Sequence, residues 1–213
     1  MTEQISRTPG VFIALEGGDG SGKTTQLGIL HQWLSESGRT VVRTREPGGT
    51  QIGERIRSLL LEHDQGEVDP RTEALLFAAS RAAHVTQTIR PALQAGSVVL
   101  CDRYIDSSVA YQGAGRGLGT EDIAQLNDWA TEGLQPDLTV VLDVDPERAR
   151  ARRAGRTGGE DRIESSDADF HARLREAFLA RAAAEPQRYL ILDAEDSVEA
   201  IHSLIRERVE ALL

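Results

Sequence analysis

The chain has 213 residues, of which 39% are hydrophobic and 27% charged, a composition typical of one globular α/β domain. Its net charge of −10 argues against broad nucleic-acid binding, because a surface that binds nucleic acid needs a surplus of basic residues. The single cysteine, Cys101, excludes an internal disulfide, and no apolar run is long enough for a signal-peptide core or a membrane span. We therefore expect a soluble, cytoplasmic protein that binds neither nucleic acid nor membrane.

Short apolar runs alternate with longer segments of helical period. Most of these runs are almost continuously apolar, which favours a parallel sheet covered on both faces. The predicted strands are residues 11–15, 40–44, 97–102, 138–144 and 188–194. The predicted helices are 27–34, 52–60, 70–95 with a bend near Pro91, 120–132, 167–184 and 198–212 with Ser197 as its cap. The alternation indicates a doubly wound five-stranded parallel sheet with right-handed crossovers.

Residues 17–24, with the sequence GGDGSGKT, lie between the first predicted strand and the first predicted helix. The spacing Gly-x4-Gly-Lys-Thr in this context is the P-loop pattern, in which glycines let backbone N–H groups surround phosphates. Lys23 is the only lysine of the chain, and we expect it to reach the outer phosphates of ATP, while Thr24 helps to hold Mg²⁺. The predicted ATP-binding residues are Gly17, Gly18, Asp19, Gly20, Ser21, Gly22, Lys23, Thr24 and Thr25.

A second acidic group is expected beside the metal of a P-loop protein. Asp102 ends an apolar strand at the carboxyl edge of the predicted sheet, where open α/β sheets bind their ligands. It is therefore a Walker-B-like candidate that acts on Mg²⁺ directly or through water. The alternative is an ordinary strand-end aspartate that forms a turn.

The sequence also limits the class of P-loop protein. A GTP switch needs an Asn-Lys-x-Asp motif, which a chain with a single lysine in its P-loop lacks, and a DNA-directed ATPase needs a basic face. A small-molecule kinase needs an arginine-rich acceptor pocket and an arginine-rich lid. Residues 148–164 are dense in arginine and then glycine, and are almost without apolar residues. We expect this segment to be a mobile lid.

Several further motifs follow the P-loop in order: REPGG (45–49), GERIR (53–57), LLFAASR (75–81), DRYIDSSVAYQG (102–113) and DRIE (161–164). Together they resemble the thymidylate kinase family, of the nucleoside-monophosphate kinase group, from about residue 11 to the C-terminus. The resemblance implies one P-loop kinase domain over residues 1–213, with the lid at about 148–164. It implies the conversion of dTMP to dTDP with Mg-ATP in dTTP synthesis, and it implies a homodimer.

The resemblance also implies roles for individual residues. Arg57 and Arg103 would clamp the monophosphate of dTMP, because planar guanidinium groups suit bidentate phosphate contacts. Phe77 would stack on thymine, Arg81 would reach the edge of the base, and Tyr111 would occupy the place of a ribose 2′-hydroxyl. The implied dTMP-binding residues are Asp19, Glu46, Pro47, Arg57, Phe77, Arg81, Arg103, Ser107, Ser108, Tyr111 and Gln112. The implied metal ligands are Thr24, Asp102 and Asp19.

Taken singly, these residues have plainer explanations. Phe77 and Tyr111 could simply pack in the core, and Ser107 and Ser108 could be helix caps. Arg57 and Arg81 could be solvent-facing charges on helices. Only their joint occurrence favours a binding site. Two other functions stay open: another pyrimidine nucleotide or deoxynucleoside kinase, and a nucleotide-binding regulator without turnover.

The lid is the expected source of a catalytic arginine. Some family members have a basic residue in the P-loop where this chain has Gly20, so the resemblance is to the bacterial type, in which lid arginines act. Arg152 and Arg153 are the candidates, and the alternates are Arg148, Arg150 and Arg156. The implied catalytic residues are Lys23, Asp102, Arg152 and Arg153.

Overall fold

The computed structural model describes residues 10–62, 66, 68–154, 163 and 168–213. In this part of the chain, five parallel strands form one sheet with the order β2-β3-β1-β4-β5. The strands are β1 (Val11–Glu16), β2 (Val41–Arg45), β3 (Val98–Asp102), β4 (Leu138–Asp143) and β5 (Tyr189–Asp193). The predicted doubly wound parallel sheet is confirmed. Since β3 and β4 flank β1 on opposite sides, the reversal of strand order that binds ligands in such sheets lies at the carboxyl end of β1.

Helices cover both faces of the sheet. They are α1 (Lys23–Glu36), α2 (Gln51–Leu61), α3 (Pro70–His84), α4 (Arg90–Gln94), α5 (Ile105–Ser108), α6 (Thr120–Thr131), α7 (Pro146–Ala154), α8 (Ala168–Ala184) and α9 (Val198–Glu210). On one face, Leu27 and Leu30 of α1 and Ile205 of α9 pack in a single apolar cluster with the central strands. The Ser197 Oγ accepts a hydrogen bond from the Ala200 N–H, which confirms the predicted cap of α9. No helix in the described ranges is both long enough and apolar enough to cross a membrane.

Strand register brings the acidic ends of three strands together. Asp102, at the end of β3, lies opposite Leu15 of β1 and Arg45 of β2. Glu16 and Glu46 follow those two residues directly, so both lie beside Asp102 at the carboxyl edge. The central strands β1, β3 and β4 are almost wholly buried, whereas the edge strands β2 and β5 are partly exposed. The continuously apolar runs therefore mark the buried centre of the sheet.

The helical segments differ from the sequence prediction in three places. The predicted bend near Pro91 is a π-helical turn over Val85–Ile89, one turn earlier, because a proline removes a hydrogen bond to the preceding turn and crowds its carbonyl group. Residues 105–115 form α5 and a second π-helical turn, Val109–Gly115, where no helix was predicted. The predicted lid begins as a helix, since α7 extends to Ala154. The predicted mobility of the lid concerns residues that lie mostly outside the described ranges, and it stays a prediction.

Candidate active site

The P-loop leaves β1 and enters α1 through glycines whose backbone is in the left-handed region, with φ 128° at Gly17 and 98° at Gly22. The Lys23 Nζ donates hydrogen bonds to the Gly17 and Gly18 carbonyl oxygens, both at 2.9 Å. Burial, and then the nearby Arg103 charge, lower the pKa of Lys23 to about 8. These hydrogen bonds hold the Lys23 ammonium group inside the curve of the loop.

Thr24 and Asp102 meet at the edge of the sheet. The Thr24 Oγ1 donates to the Asp102 Oδ2 at 3.3 Å, which brings an α1 hydroxyl and a β3 carboxylate together. Hydroxyl and carboxylate oxygens are the ligands that Mg²⁺ prefers in proteins, so this pair fits the predicted metal site. Asp102 also lines the cavity that contains Lys23 and Arg103, which is where a metal ligand of a P-loop protein is expected.

Asp19 connects the P-loop to the acceptor side. Its Oδ1 accepts a hydrogen bond from the Arg103 Nη2, and its Oδ2 accepts one from the Tyr111 hydroxyl at 2.7 Å. Burial alone would raise the pKa of the Asp19 carboxyl, but the charges of Arg103 and Lys23 hold it well below its usual value. Arg103 also donates to the Ser107 Oγ at 3.0 Å. The Ser107 hydroxyl, predicted to line a base pocket, therefore also orients the arginine that would clamp phosphate.

Glu16 supports the site from behind, through Ser107, and was not among the predicted residues. Its side chain is fully buried and accepts hydrogen bonds from the Tyr104 N–H at 2.7 Å, the Ser107 N–H at 3.2 Å and the Ser107 Oγ at 2.6 Å. Burial, and then the Asp106 charge, raise the pKa of Glu16 to about 7. The available signal was an acidic residue that ends an otherwise apolar strand directly before the P-loop.

Arg81 lies at the centre of a buried polar network and is only 1% exposed. Its Nε donates to the Glu46 Oε2 at 2.6 Å, and its Nη1 donates to the Ser108 Oγ and to the Asn127 Oδ1. Its Nη2 donates to the Tyr104 carbonyl oxygen at 2.9 Å. Arg81 is therefore not a solvent-facing charge on a helix, which was the plainer explanation of this residue. One N–H of Nη2 has no acceptor among the described residues.

Two buried polar residues lie behind this network. The His84 Nδ1 lies 2.9 Å from the Glu46 Oε1, so His84 helps to fix the carboxylate that holds Arg81. Asn127, on α6, contacts the guanidinium from the other side. Neither was predicted as a site residue, because their partners are 38 and 46 positions away in the sequence.

A cavity of about 420 Å³ joins these groups. All eleven predicted dTMP-binding residues line it, together with Gly20, Gly22, Lys23, Thr24 and Thr25 of the P-loop. Ser21 is outside the lining, and Gly17 and Gly18 line a smaller neighbouring cavity beside β4. Leu61 also lines the main cavity and was not predicted, as do Arg45 and Ile163, which belong to the REPGG and DRIE motifs but were not predicted individually. Phe77 both lines the cavity and packs on an apolar cluster, so its two explanations are compatible.

Helix α7 brings one lid arginine to the cavity. Arg152 lines it, and its Nη2 donates to the Ala194 carbonyl oxygen at 2.9 Å, while its Nη1 is 3.4 Å from the Gly20 carbonyl oxygen. Arg148 instead pairs with Glu195 at 3.4 Å, and its side chain is 68% exposed. The Arg153 side chain and Arg156 lie outside the described residues. Of the predicted lid arginines, the described structure places Arg152 beside the P-loop.

Gly20 explains how α7 approaches so closely. A Cβ at this position would lie 2.8 Å from the Ala149 carbonyl oxygen, and the backbone φ is 90°. A side chain at residue 20 would therefore push α7 away from the P-loop. This agrees with the expectation that the lid, rather than the P-loop, supplies an arginine.

The comparisons with known proteins agree with these findings. The sequence model of the family described as thymidylate kinase matches residues 15–205. A thymidylate kinase from Leifsonia xyli subsp. xyli is 56% identical over 202 residues, which cover 95% of each chain, and one from Clavibacter michiganensis subsp. michiganensis is 55% identical over 96% of each. The crystal structure of thymidylate kinase from Ehrlichia chaffeensis superposes with a TM-score of 0.76 at 36% identity, and the match covers 95% of this chain and 99% of that one. The chain belongs to the thymidylate kinase family.

Proposed function

We propose that the chain transfers the γ-phosphoryl group of Mg-ATP to the phosphate of dTMP, and so forms ADP and dTDP for dTTP synthesis. The observation that supports this most directly is the cavity, in which the P-loop lysine and the predicted acceptor residues lie together. Asp19 belongs to both halves, since it is a P-loop residue that binds Arg103 and Tyr111. The acceptor phosphate and the ATP phosphates would thus meet between Lys23 and Arg103.

The chemistry requires positioning and charge neutralisation rather than a covalent intermediate. Lys23 would leave its loop carbonyls for the phosphates, which are stronger acceptors because they are charged. Arg103 and Arg57 would hold the acceptor phosphate, and the Arg57 Nη1 is already fixed by the Pro47 carbonyl oxygen at 2.9 Å. Arg152 would add positive charge from the lid and exclude water, so that ATP is not hydrolysed.

Thr24 and Asp102 would hold Mg²⁺. When bound, the ion would neutralise negative charge on the phosphate groups of ATP during transfer of the γ-phosphoryl group. Asp19, the third predicted ligand, already accepts hydrogen bonds at both carboxylate oxygens, and this favours a role toward the acceptor sugar. Its predicted contact with the metal stays a prediction.

Recognition of the base is expected to depend on Arg81, and recognition of the sugar on Tyr111. Arg81 is held rigidly and retains an N–H on Nη2, which suits the O4 of thymine. Cytosine has an amino group at that position, so two donors would meet without an acceptor, at a cost of about 1–3 kcal/mol. The Tyr111 ring packs edge-on against Phe170, with ring centroids 6.0 Å apart, and is fixed where we expect it to exclude a 2′-hydroxyl. These contacts favour a pyrimidine imide on a deoxyribose.

The test is the value of kcat/KM for dTMP, dUMP, dCMP, dAMP, dGMP and ribo-TMP with Mg-ATP. We expect dTMP to be the best acceptor and dUMP to be next, since one methyl group is worth about 1 kcal/mol. If a purine monophosphate matches dTMP, the acceptor assignment is wrong and another nucleotide kinase is favoured. If no acceptor is phosphorylated although ATP binds, the chain is a nucleotide-binding regulator.

The assembly, the location and the domain organisation stay predictions. A homodimer follows from the family resemblance, and a cytoplasmic location follows from the composition. Size-exclusion chromatography with light scattering measures the first directly.

A further inference from the structure

Glu73 is a buried carboxylate that does not line the cavity. It lies on α3 and is 1% exposed. Its Oε1 accepts hydrogen bonds from the Gln112 Nε2 at 3.0 Å and from the Arg116 Nε at 3.2 Å, and its Oε2 lies 3.4 Å from the Arg116 Nη2. Because an unpaired buried charge is costly, the Arg116 guanidinium stabilises the buried carboxylate of Glu73 by offsetting its charge. Glu73 also contacts a third residue, Gln112, and this contact suggests a role for Glu73 beyond its ion pair with Arg116.

A carboxylate fixes the orientation of a neighbouring amide. The two ends of the Gln112 amide differ, since Nε2 donates hydrogen bonds and Oε1 accepts them. An ionised carboxylate only accepts, so Nε2 must face Glu73 and Oε1 must point elsewhere. Gln112 lines the cavity, and no described residue donates a hydrogen bond to its Oε1. Glu73 thereby presents an acceptor to the cavity through Gln112.

We propose that Glu73 is a positioning residue for base selection, acting through the Gln112 amide; this inference rests on the proposed function. In this orientation the Gln112 Oε1 accepts the N3–H of a thymine or uracil imide. Cytosine has an unprotonated N3 at the same place, which would face a second acceptor. A flipped amide would present N–H instead and would suit cytosine. The direction of one amide therefore decides between the two classes of pyrimidine.

The contribution of Gln112 to base selection can be measured separately from that of Arg81. Arg81 is held by Glu46, Ser108 and Asn127, none of which contacts Glu73 through a hydrogen bond given by the described structure. A change at Glu73 therefore leaves the Arg81 network in place. A loss of selectivity in a Glu73 variant is then attributable to Gln112.

The experiment uses Glu73→Gln, which keeps the size of the side chain but can donate or accept. A neutral amide at position 73 can turn either its oxygen or its nitrogen toward Gln112, so the strict requirement for one orientation of the Gln112 amide is lost. We expect the ratio of kcat/KM for dTMP to kcat/KM for dCMP to fall by about tenfold or more, with the KM for ATP unchanged. The matched control is Glu36→Gln, because the Gln32 Nε2 donates to the Glu36 Oε1 at 2.8 Å in the same way, on the exposed side of α1. The control should keep the wild-type ratio.

Two further variants make the result decisive. Gln112→Met removes both ends of the amide and should itself lower the ratio, and Glu73→Gln should have no additional effect in that background. A folded Gln112→Met protein with the wild-type ratio overturns the proposal, even if Glu73→Gln does not fold. A Glu73→Gln enzyme that keeps the wild-type ratio also overturns the proposal. The same holds if Glu73→Gln lowers the ratio by the same factor in the wild-type background and in the Gln112→Met background. A wild-type enzyme that does not phosphorylate dTMP overturns the proposed function first, and the selectivity inference with it.

Discussion

Lys23 carries the only ammonium group among the side chains, and it donates hydrogen bonds to the carbonyl oxygens of its own loop. We expect Lys23→Ala to lower kcat by roughly 10³-fold or more, because a preorganised charge on the transferring phosphoryl group is lost. Lys23→Arg should not restore the rate, since the wide guanidinium does not fit a buried position shaped for an ammonium. Steady-state kinetics and thermal melts of the two variants test this. A folded Lys23→Ala enzyme with near-normal turnover would contradict the role of the lysine.

At the residue scale, the motifs selected side chains that the fold brings to one cavity, but they showed only part of the contacts of those side chains. The resemblance carried by these motifs implied eleven dTMP-binding residues, and all eleven line the cavity. It did not show that Arg81 is tied to Glu46, 35 positions away, or that Ser107 binds Glu16, 91 positions away. Hydrogen bonds between distant segments depend on sheet register, which a single sequence does not specify. Glu16 and Glu73 were missed for the same reason.

Elements were predicted best where the hydrophobic pattern alone determines them. The central strands are apolar except for their acidic last residues and Thr139, and they were located to within a residue or two. Helix α5 was missed because it is only four residues long, and its first N–H groups are satisfied by the Glu16 carboxylate rather than by a local cap. Helix α7 has few apolar residues, and its position depends on contact with Gly20. Short or polar helices of this kind are stabilised by tertiary contacts, not by local propensity.

The lid helix α7 has a matched pair of arginines for testing catalysis. Arg152 lines the cavity beside the P-loop, whereas Arg148, one turn earlier, pairs with Glu195. We expect Arg152→Ala to lower kcat more than it raises the KM for dTMP, by roughly 10³-fold or more, if its charge acts in the transition state. Arg148→Ala should leave kcat within about twofold.

The Arg153 side chain lies outside the described residues, so a parallel Arg153→Ala variant completes this set. If Arg152→Ala retains the wild-type kcat while Arg153→Ala loses it, the catalytic arginine is the second of the predicted pair. If both variants are fully active, the positive charge comes from another residue.

On the scale of the whole molecule, buried acids connect the site to distant elements. Asp106, in α5, accepts hydrogen bonds from the Arg181 Nε at 2.7 Å and from the Tyr189 hydroxyl at 2.8 Å, which ties the site to α8 and to β5. Glu16 ties β1 to the same helix. The negative charge of Asp106 also acts on Glu16, whereas Asp106 itself is paired with Arg181. The surroundings of the Glu16 carboxyl therefore disfavour its charged form.

This arrangement predicts a pH dependence of stability. The pKa of Glu16 is raised from 4.5 to about 7 by burial, and then by Asp106, so the folded protein binds this proton more tightly than the unfolded chain. The resulting stabilisation is complete below about pH 4.5 and is lost as the pH rises through about 7. Over that window we expect wild type to lose up to about 3 kcal/mol of unfolding free energy relative to Glu16→Gln, in which the group does not titrate. Urea unfolding of both proteins at pH 5, 6, 7 and 8 measures the difference. A difference between the two proteins that stays constant from pH 5 to pH 8 would show that Glu16 is not protonated in the folded state at the lower pH.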